Sequence, residues 1–438
     1  MMETQLTTGF DAQVDVLVIG SGPAGCTTAL RYAQEGLRVA LVERKRAMDS
    51  FKPVCTHFIQ GCATPVLQKM GVLDTLKAAG AVRNDIHIWT RYGWIKPEVD
   101  ADAQHHGYVI RRSTLDPILR DAAQNHPNIE LYMGWRLVKL IENEQQDIIG
   151  AEIDSAEQKR TLRLAAQLTV GADGRNSAVA EGLPIRIHST ENKRTFFVSY
   201  YENLQLTSGA ISQLWFWKKD IAYCFPSDGG VTLMCLGIHE DNMAQFKDNP
   251  EQAFHDYFKQ LTDGPAMDMA QRVAPVTKGK HMHTQRRYHD RSGVALVGDA
   301  LLGIDPFAGT GIGWAIQGGD WLVEETLPAL KAQSPTHLRQ ALARYTQLHE
   351  TRLRGHTWMI SNYSSGRDFN YVFPPERLLF AAAVDSPEIA RVLDLFLNRV
   401  ISLRQLITPK FLLHVLWVRL RLLLLGRQPW LNTSAERG

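Results

Sequence analysis

The chain alternates between two hydrophobic periodicities. Unbroken apolar, β-branched runs at residues 14–19, 38–42, 168–170 and 293–297 predict strands buried on both faces, as in a parallel sheet. After the first run a helical pattern begins near Pro23 and passes through Ala29, Leu30 and Ala33 to Gly36, so residues 14–43 read as one βαβ unit. Strand-like segments follow at 85–94, 108–110, 129–133 and 136–142. Helices are predicted through Val66, Leu67, Met70 and Leu73, and again after Arg111, where Ser113 or Thr114 is a natural cap. Residues 148–153 and 160–165 read as a hairpin. From about 185 to 280 the spacing becomes alternating, in 195–201, 212–217, 221–226 and 231–236, which predicts an antiparallel sheet. A long helix is expected after the glycines at 309–313, and the tail from about 330 is helical by periodicity.

These elements predict an α/β fold with a Rossmann-like dinucleotide-binding domain in two parts, 14–185 and 286–330. An antiparallel β-sheet substrate domain is inserted at 186–285, and a helical C-terminal region covers 331–438. A length of 438 residues calls for two or three cores. The net charge of +2 gives no electrostatic basis for a nucleic-acid partner. Cys26, Cys55, Cys62, Cys224 and Cys235 show neither metal-ligand spacing nor a disulfide framework. That usage predicts no metal and a reducing, cytoplasmic setting. The polar start, with Glu3 and no apolar core, does not read as a signal peptide.

Three distant stretches carry the candidate chemistry. In the first, Gly20 allows a sharp turn off the strand, Gly22 lets the backbone approach a pyrophosphate, and Gly25 lets the next helix pack closely on the sheet. Pro23 and Ala24 open that helix, whose N-terminus favours an anion. Glu43, about twenty residues on, is placed to accept from a ribose hydroxyl. An acid there suits FAD or NAD better than NADP, whose 2′-phosphate it would repel, and Arg44 is in reach of the pyrophosphate. The second stretch is Gly-Ala-Asp-Gly around Asp173. The third runs from Gly298-Asp299 through Pro306 to Gly309, Gly311, Ile312 and Gly313. Its glycines remove side chains where a flat ring must meet backbone, and the following helix dipole favours negative charge on that ring.

Taken in order, these stretches resemble the FAD-dependent monooxygenase superfamily typified by para-hydroxybenzoate hydroxylase, a fold shared with geranylgeranyl reductases and flavin-dependent halogenases. The likeness is strongest over residues 14–185 and 290–325. It implies that Gly20, Gly22 and Gly25 hold the FAD pyrophosphate and that Glu43 holds the adenosine ribose. It further implies that Arg112 lies beside FAD, and that Asp173 serves FAD and the nicotinamide cofactor. Asp299 would meet the ribityl region, with Pro306 and Gly309 to Ile312 beside the isoalloxazine. The loop Lys52-Pro53-Val54-Cys55-Thr56-His57 departs from the Lys-Pro-Cys-Gly of reductase branches. There His57 is a candidate proton shuttle or a structural histidine, and Cys55 reads as a small packing residue.

The resemblance implies hydroxylation of an aromatic or other electron-rich small molecule, with O2 as co-substrate, a flavin hydroperoxide as oxygen donor and NAD(P)H as reductant. No second glycine-rich nicotinamide fold is present in the sequence, so NAD(P)H would bind transiently. Trp215, Trp217, Tyr223 and Phe225 are candidate walls of the substrate cavity, or ordinary sheet core. Halogenation is less well matched, because residues 221–226 lack the tryptophans of that branch; reduction of an isoprenoid double bond is the other alternative, and Tyr223-x-Phe225-Pro226 is faintly similar to its pattern. The apolar run 411–425, with Arg419 and Arg421 inside it, fits three uses. It would cover the core or active site, pack in a homodimer, or lie in a membrane surface as a peripheral contact.

Overall fold

The computed structural model describes residues 9–98, 105–279, 282–369 and 374–425. It is a mixed α/β protein. The first sheet has strand order Ile129–Met133, Val39–Glu43, Ala12–Ile19, Arg160–Gly171, Ile148–Ser155 and Arg136–Glu142. The first four members run parallel where they pair, and Val294–Leu296 joins Arg160–Gly171 in parallel near its end. The segments expected as a hairpin and as a separate apolar strand merge here. Arg160–Gly171 is one strand whose first half pairs with Ile148–Ser155 and whose last residues pair with Val294–Leu296. It therefore joins the antiparallel edge to the parallel core.

Val39–Glu43 is wholly buried and Ala12–Ile19 is buried from Val16 onward, as apolar β-branched runs require. The helix Pro23–Gln34 follows the first strand, with Pro23 at its first position, where a missing N–H costs nothing. It packs on the long helix Gly311–Lys331 through the Tyr32–Thr326 hydroxyl pair (2.5 Å) and the Arg31–Asp320 ion pair (2.8 Å). Helix Arg112–Gln124 starts without a side-chain cap of its own. Neither Ser113 nor Thr114 caps it. Asp228, far away in sequence, accepts from the Arg111 N–H (2.6 Å), from Thr114 Oγ1 (2.6 Å) and from Arg111 Nε (3.0 Å).

The second sheet is mostly antiparallel, in the order Gln271–Arg272, Arg194–Glu202, Thr232–His239, Asp220–Pro226, Ser212–Trp217, Ile86–Thr90 and Gly93–Ile95, with Thr277–Gly279 also pairing Arg194–Glu202. Its last two strands come from the segment expected as one strand at 85–94, and Ile86–Thr90 pairs parallel with Ser212–Trp217. Alternation gives the sheet two different faces. Phe196, Val198, Tyr223, Phe225, Leu233 and Cys235 join the core shared with the first sheet. Phe197, Tyr201, Trp215, Cys224, Met234 and Leu236 form a separate core under helix Pro250–Gln260. The C-terminal region is helical, with Pro335–Ser364, Pro374–Asp385, Pro387–Leu397 and Pro409–Leu424 as its longer members.

Gly25 marks the tightest point of the first turn. A Cβ there would lie 1.7 Å from the Gly20 carbonyl oxygen, backbone that has no room to yield. Substitution G25A is expected to destabilise the apoprotein by about 3 kcal/mol or more, as overpacking of a rigid contact does. Urea denaturation followed by circular dichroism measures it; a loss under about 0.5 kcal/mol would show that the turn relaxes freely.

Candidate functional site

The three motif stretches meet at the C-terminal ends of adjacent parallel strands. Gly20 (φ +103°) has backbone of the second stretch where a Cβ would sit, with the Ala172 oxygen at 2.6 Å and the Asp173 Cα at 2.8 Å. Gly298 (φ +57°) likewise faces the Ala24 Cβ at 2.9 Å and the Ala315 Cβ at 3.4 Å. The turn after each strand is thus pressed against the next.

Two other glycines behave differently. At Gly22 and Gly311 a Cβ would meet nothing within 4 Å. Each sits at a helix start, Gly22 as N-cap of Pro23–Gln34 and Gly311 as the first residue of Gly311–Lys331. Open space before free N–H groups at a helix N-terminus is a cradle for an anionic or electron-rich group. Beside Gly311, the buried Thr310 Oγ1 has no hydrogen-bond partner. These features fit FAD, the pyrophosphate at one helix and the flavin ring at the other.

Glu43 is buried at the end of its strand. Its Oε2 accepts from Ser21 N (2.9 Å) and Ser21 Oγ (3.0 Å), and its Oε1 from Lys45 N (3.0 Å). A carboxylate has lone pairs left for ribose hydroxyls after those bonds. Buried Arg120 donates to Ser21 Oγ (2.9 Å) and also to the Met48 and Ser50 carbonyls, tying the loop after Glu43 to helix Arg112–Gln124. Arg44 is exposed. Arg112 is buried and bidentate to Asp116, at 2.6 and 2.8 Å. Asp173 accepts from Val179 N (3.2 Å), while its Oδ1 is buried without a partner; burial raises its pKa.

Asp299 faces Lys52 (3.2 Å). Burial alone would raise its pKa, but Lys52 and Arg175 outweigh burial and hold the carboxyl below its usual range. Both groups line one narrow cleft. Pro306, Gly309, Gly311, Ile312, Val54, Cys55 and Thr56 line it with them. Phe196, Val198 and Cys235 of the antiparallel sheet line it as well. Four of the residues expected beside the flavin ring therefore share one cleft with Asp299. Gly309 (φ +63°) is held against Phe58, whose ring would stand 2.6 Å from a Cβ.

The four aromatic candidates do not line this cleft. Trp215 and Trp217 are on the far side of the sheet, because Trp215 pairs with Ala222, one register step from Tyr223. There Trp215 packs edge-on to Trp94 and donates to the Thr262 carbonyl (3.0 Å), and Trp217 packs on Trp89. Tyr223 and Phe225 are on the near side but fully buried, Phe225 standing behind Phe58 (5.8 Å between ring centres).

His57 is also deeper than a surface shuttle. It is buried, in a left-handed conformation (φ +58°), and its Nδ1 accepts from the Arg112 N–H (2.9 Å). That bond fixes the tautomer, so Nε2–H donates to the Tyr200 hydroxyl. Burial, with help from Arg112, pushes the His57 pKa down to about 3, leaving a neutral imidazole at physiological pH. Tyr200 is partly exposed, on the same face as Val198, and burial pushes its pKa up, so it stays a phenol. Sequence reasoning missed Tyr200. The signal was the alternation Phe196, Val198, Tyr200, whose facing depends on strand pairing.

Comparison with known proteins agrees with this geometry. The model of the FAD binding domain family matches residues 13–346. The 3-demethoxyubiquinol 3-hydroxylase of Escherichia coli K12 is 26% identical over 408 residues, covering 86% of this chain and 96% of its own length. A digeranylgeranylglycerophospholipid reductase of Methanosarcina mazei is 25% identical over 334 residues, covering 73% and 76%. Among solved structures, the flavin-dependent brominase Bmp2 superposes with a TM-score of 0.73 at 15% identity, covering 95% of this chain and 99% of that one, a likeness of fold. The family match spans most of the chain, including all three glycine-bearing stretches, and the protein belongs to the FAD binding domain family.

Proposed function

We propose that this FAD-dependent monooxygenase hydroxylates an electron-rich aromatic small molecule, a phenol or quinol, with O2 as co-substrate and NAD(P)H as reductant. The N-terminus of Pro23–Gln34 at Gly22 would hold the pyrophosphate, Glu43 the ribose, Asp299 the ribityl chain, and the Gly311 helix start the ring. When bound, FAD supplies the activation of O2 and the oxygen-atom transfer, which no side chain can perform.

The chain's own residues position the substrate and manage its proton. We read the antiparallel sheet as the substrate-side wall, an inserted unit facing the dinucleotide-binding half. Its Phe196, Val198 and Cys235 give the cleft an apolar side that excludes water. The observation that carries the reading is the Tyr200 hydroxyl. Two positions along its strand from the cleft-lining Val198, it accepts from His57 Nε2, so its own proton would be free for a substrate oxygen. A donor held this way favours a phenolate over a phenol and so raises the electron density of the ring. Halogenation is disfavoured by Lys52, the lysine that lines the cleft, because its ammonium is committed to Asp299.

The reading is tested by O2 uptake and NAD(P)H oxidation with a panel of phenols and quinols. Substrate-stimulated O2 consumption with a hydroxylated product supports it; a halide-dependent product, or turnover of a prenyl double bond without O2, overturns it. Substitution Y200F is expected to lower kcat by about 100-fold, in the range of lost acid–base assistance, with FAD affinity unchanged. Because His57 stays neutral, its titration should put no inflection in the pH profile between about pH 5 and 8. Substitution G22A should leave apoprotein stability within about 0.5 kcal/mol, since its Cβ enters open space, yet weaken FAD binding about tenfold or more. Fluorescence titration of FAD measures it, and unchanged affinity would remove the pyrophosphate from Gly22.

A further inference from the structure

We propose that the C-terminal helix Pro409–Leu424 docks the protein on an anionic lipid surface. The inference is independent of the reaction in the cleft. One face of the helix, Val415, Val418 and Leu422, is buried against the protein. The other presents Leu413, Leu416, Trp417, Leu420 and Leu424, each more than half exposed, with Leu412 at 44%. Helices apolar all round are normally covered on all sides. Soluble monomers rarely leave contiguous apolar patches above a few hundred Å².

Length and charge identify the cover. At 16 residues the helix is about 24 Å long, short of the roughly 30 Å hydrocarbon core. No helix among the described residues is long and apolar enough to cross a membrane. Such a helix lies in the interface, its leucines at the acyl boundary and basic side chains at headgroup level. Arg404, Lys410 and Arg421 are exposed around this face, and Arg421 stacks on Trp417 (5.5 Å), a pairing of ring and cation suited to that depth. The sequence has no Asp or Glu from 395 to 435. Glu388 meets His414 at 3.5 Å on the flank of the buried face. Arg419, in contrast, is turned inward toward Asp385 (3.8 Å). A second copy docked through the same face by a two-fold axis would set these cations against one another with no carboxylate of the helix to pair them. Anionic headgroups complement them.

The experiment is co-sedimentation of the full-length protein with vesicles of phosphatidylcholine alone or mixed with phosphatidylglycerol. Binding to the mixed vesicles is expected, weakened by salt. L416E/L420E, at two exposed positions that leave the fold intact, should cut it at least about tenfold, since both leucines would be buried at the acyl boundary. K410E/R421E should remove the preference for the anionic vesicles. Three results overturn the proposal: no vesicle binding, binding that L416E/L420E leaves unchanged, or equal binding to both vesicle types. Ultracentrifugation gives a fourth, a dimer that L416E/L420E dissolves in a protein that ignores vesicles, which would make a second copy the occupant.

Discussion

The structure depends on a steric interlock among backbone turns. Gly20 fits against Ala172 and Asp173, Gly25 against the Gly20 carbonyl, and Gly298 against Ala24 and Ala315. None of these contacts admits a side chain. They draw the ends of Ala12–Ile19, Arg160–Gly171 and Val294–Leu296 into one rim, although the segments are far apart in sequence. That rim decides where two helices begin. The helix starts at Gly22 and Gly311 face open space because the neighbouring glycines have taken up the close approach. Packing and binding are thus divided among glycines that look alike in the sequence.

The same division explains the electrostatics. Asp299 is held below its usual range by Lys52 and Arg175, so a negative charge persists on a rim otherwise lined by helix N-termini. His57 is buried behind the loop that carries Cys55 and Thr56, a neutral hydrogen-bonding group whose protonation is suppressed by burial and by Arg112. The Arg112 guanidinium is neutralised by Asp116, and its backbone N–H sets the His57 tautomer. One residue therefore steers both the charge of the helix start and the direction of the proton path to Tyr200.

What the sequence disclosed follows from the range of the forces involved. The βαβ unit, the glycine turns and Glu43 were legible because each rests on backbone conformation within a few residues. The Pro306 to Ile312 wall was legible for the same reason. The facing of Trp215 and Trp217 was not, since it turns on the pairing of Trp215 with Ala222 rather than Tyr223. Nor was the anchoring of the start of helix Arg112–Gln124, which Asp228 provides from more than a hundred residues away. The recruitment of Ile86–Thr90 into the second sheet is likewise an edge-pairing event with no local signature. Apolar alternation marks a strand as two-faced; only its neighbours decide which face meets the cleft.

Hydrogen–deuterium exchange of the apoprotein with and without added FAD tests the central claim most directly. Amides near Gly22 and near Gly311 should slow together on FAD binding, since both helix starts would bind one molecule. Failure to take up FAD, or protection at one helix start with the other unchanged, would contradict the account.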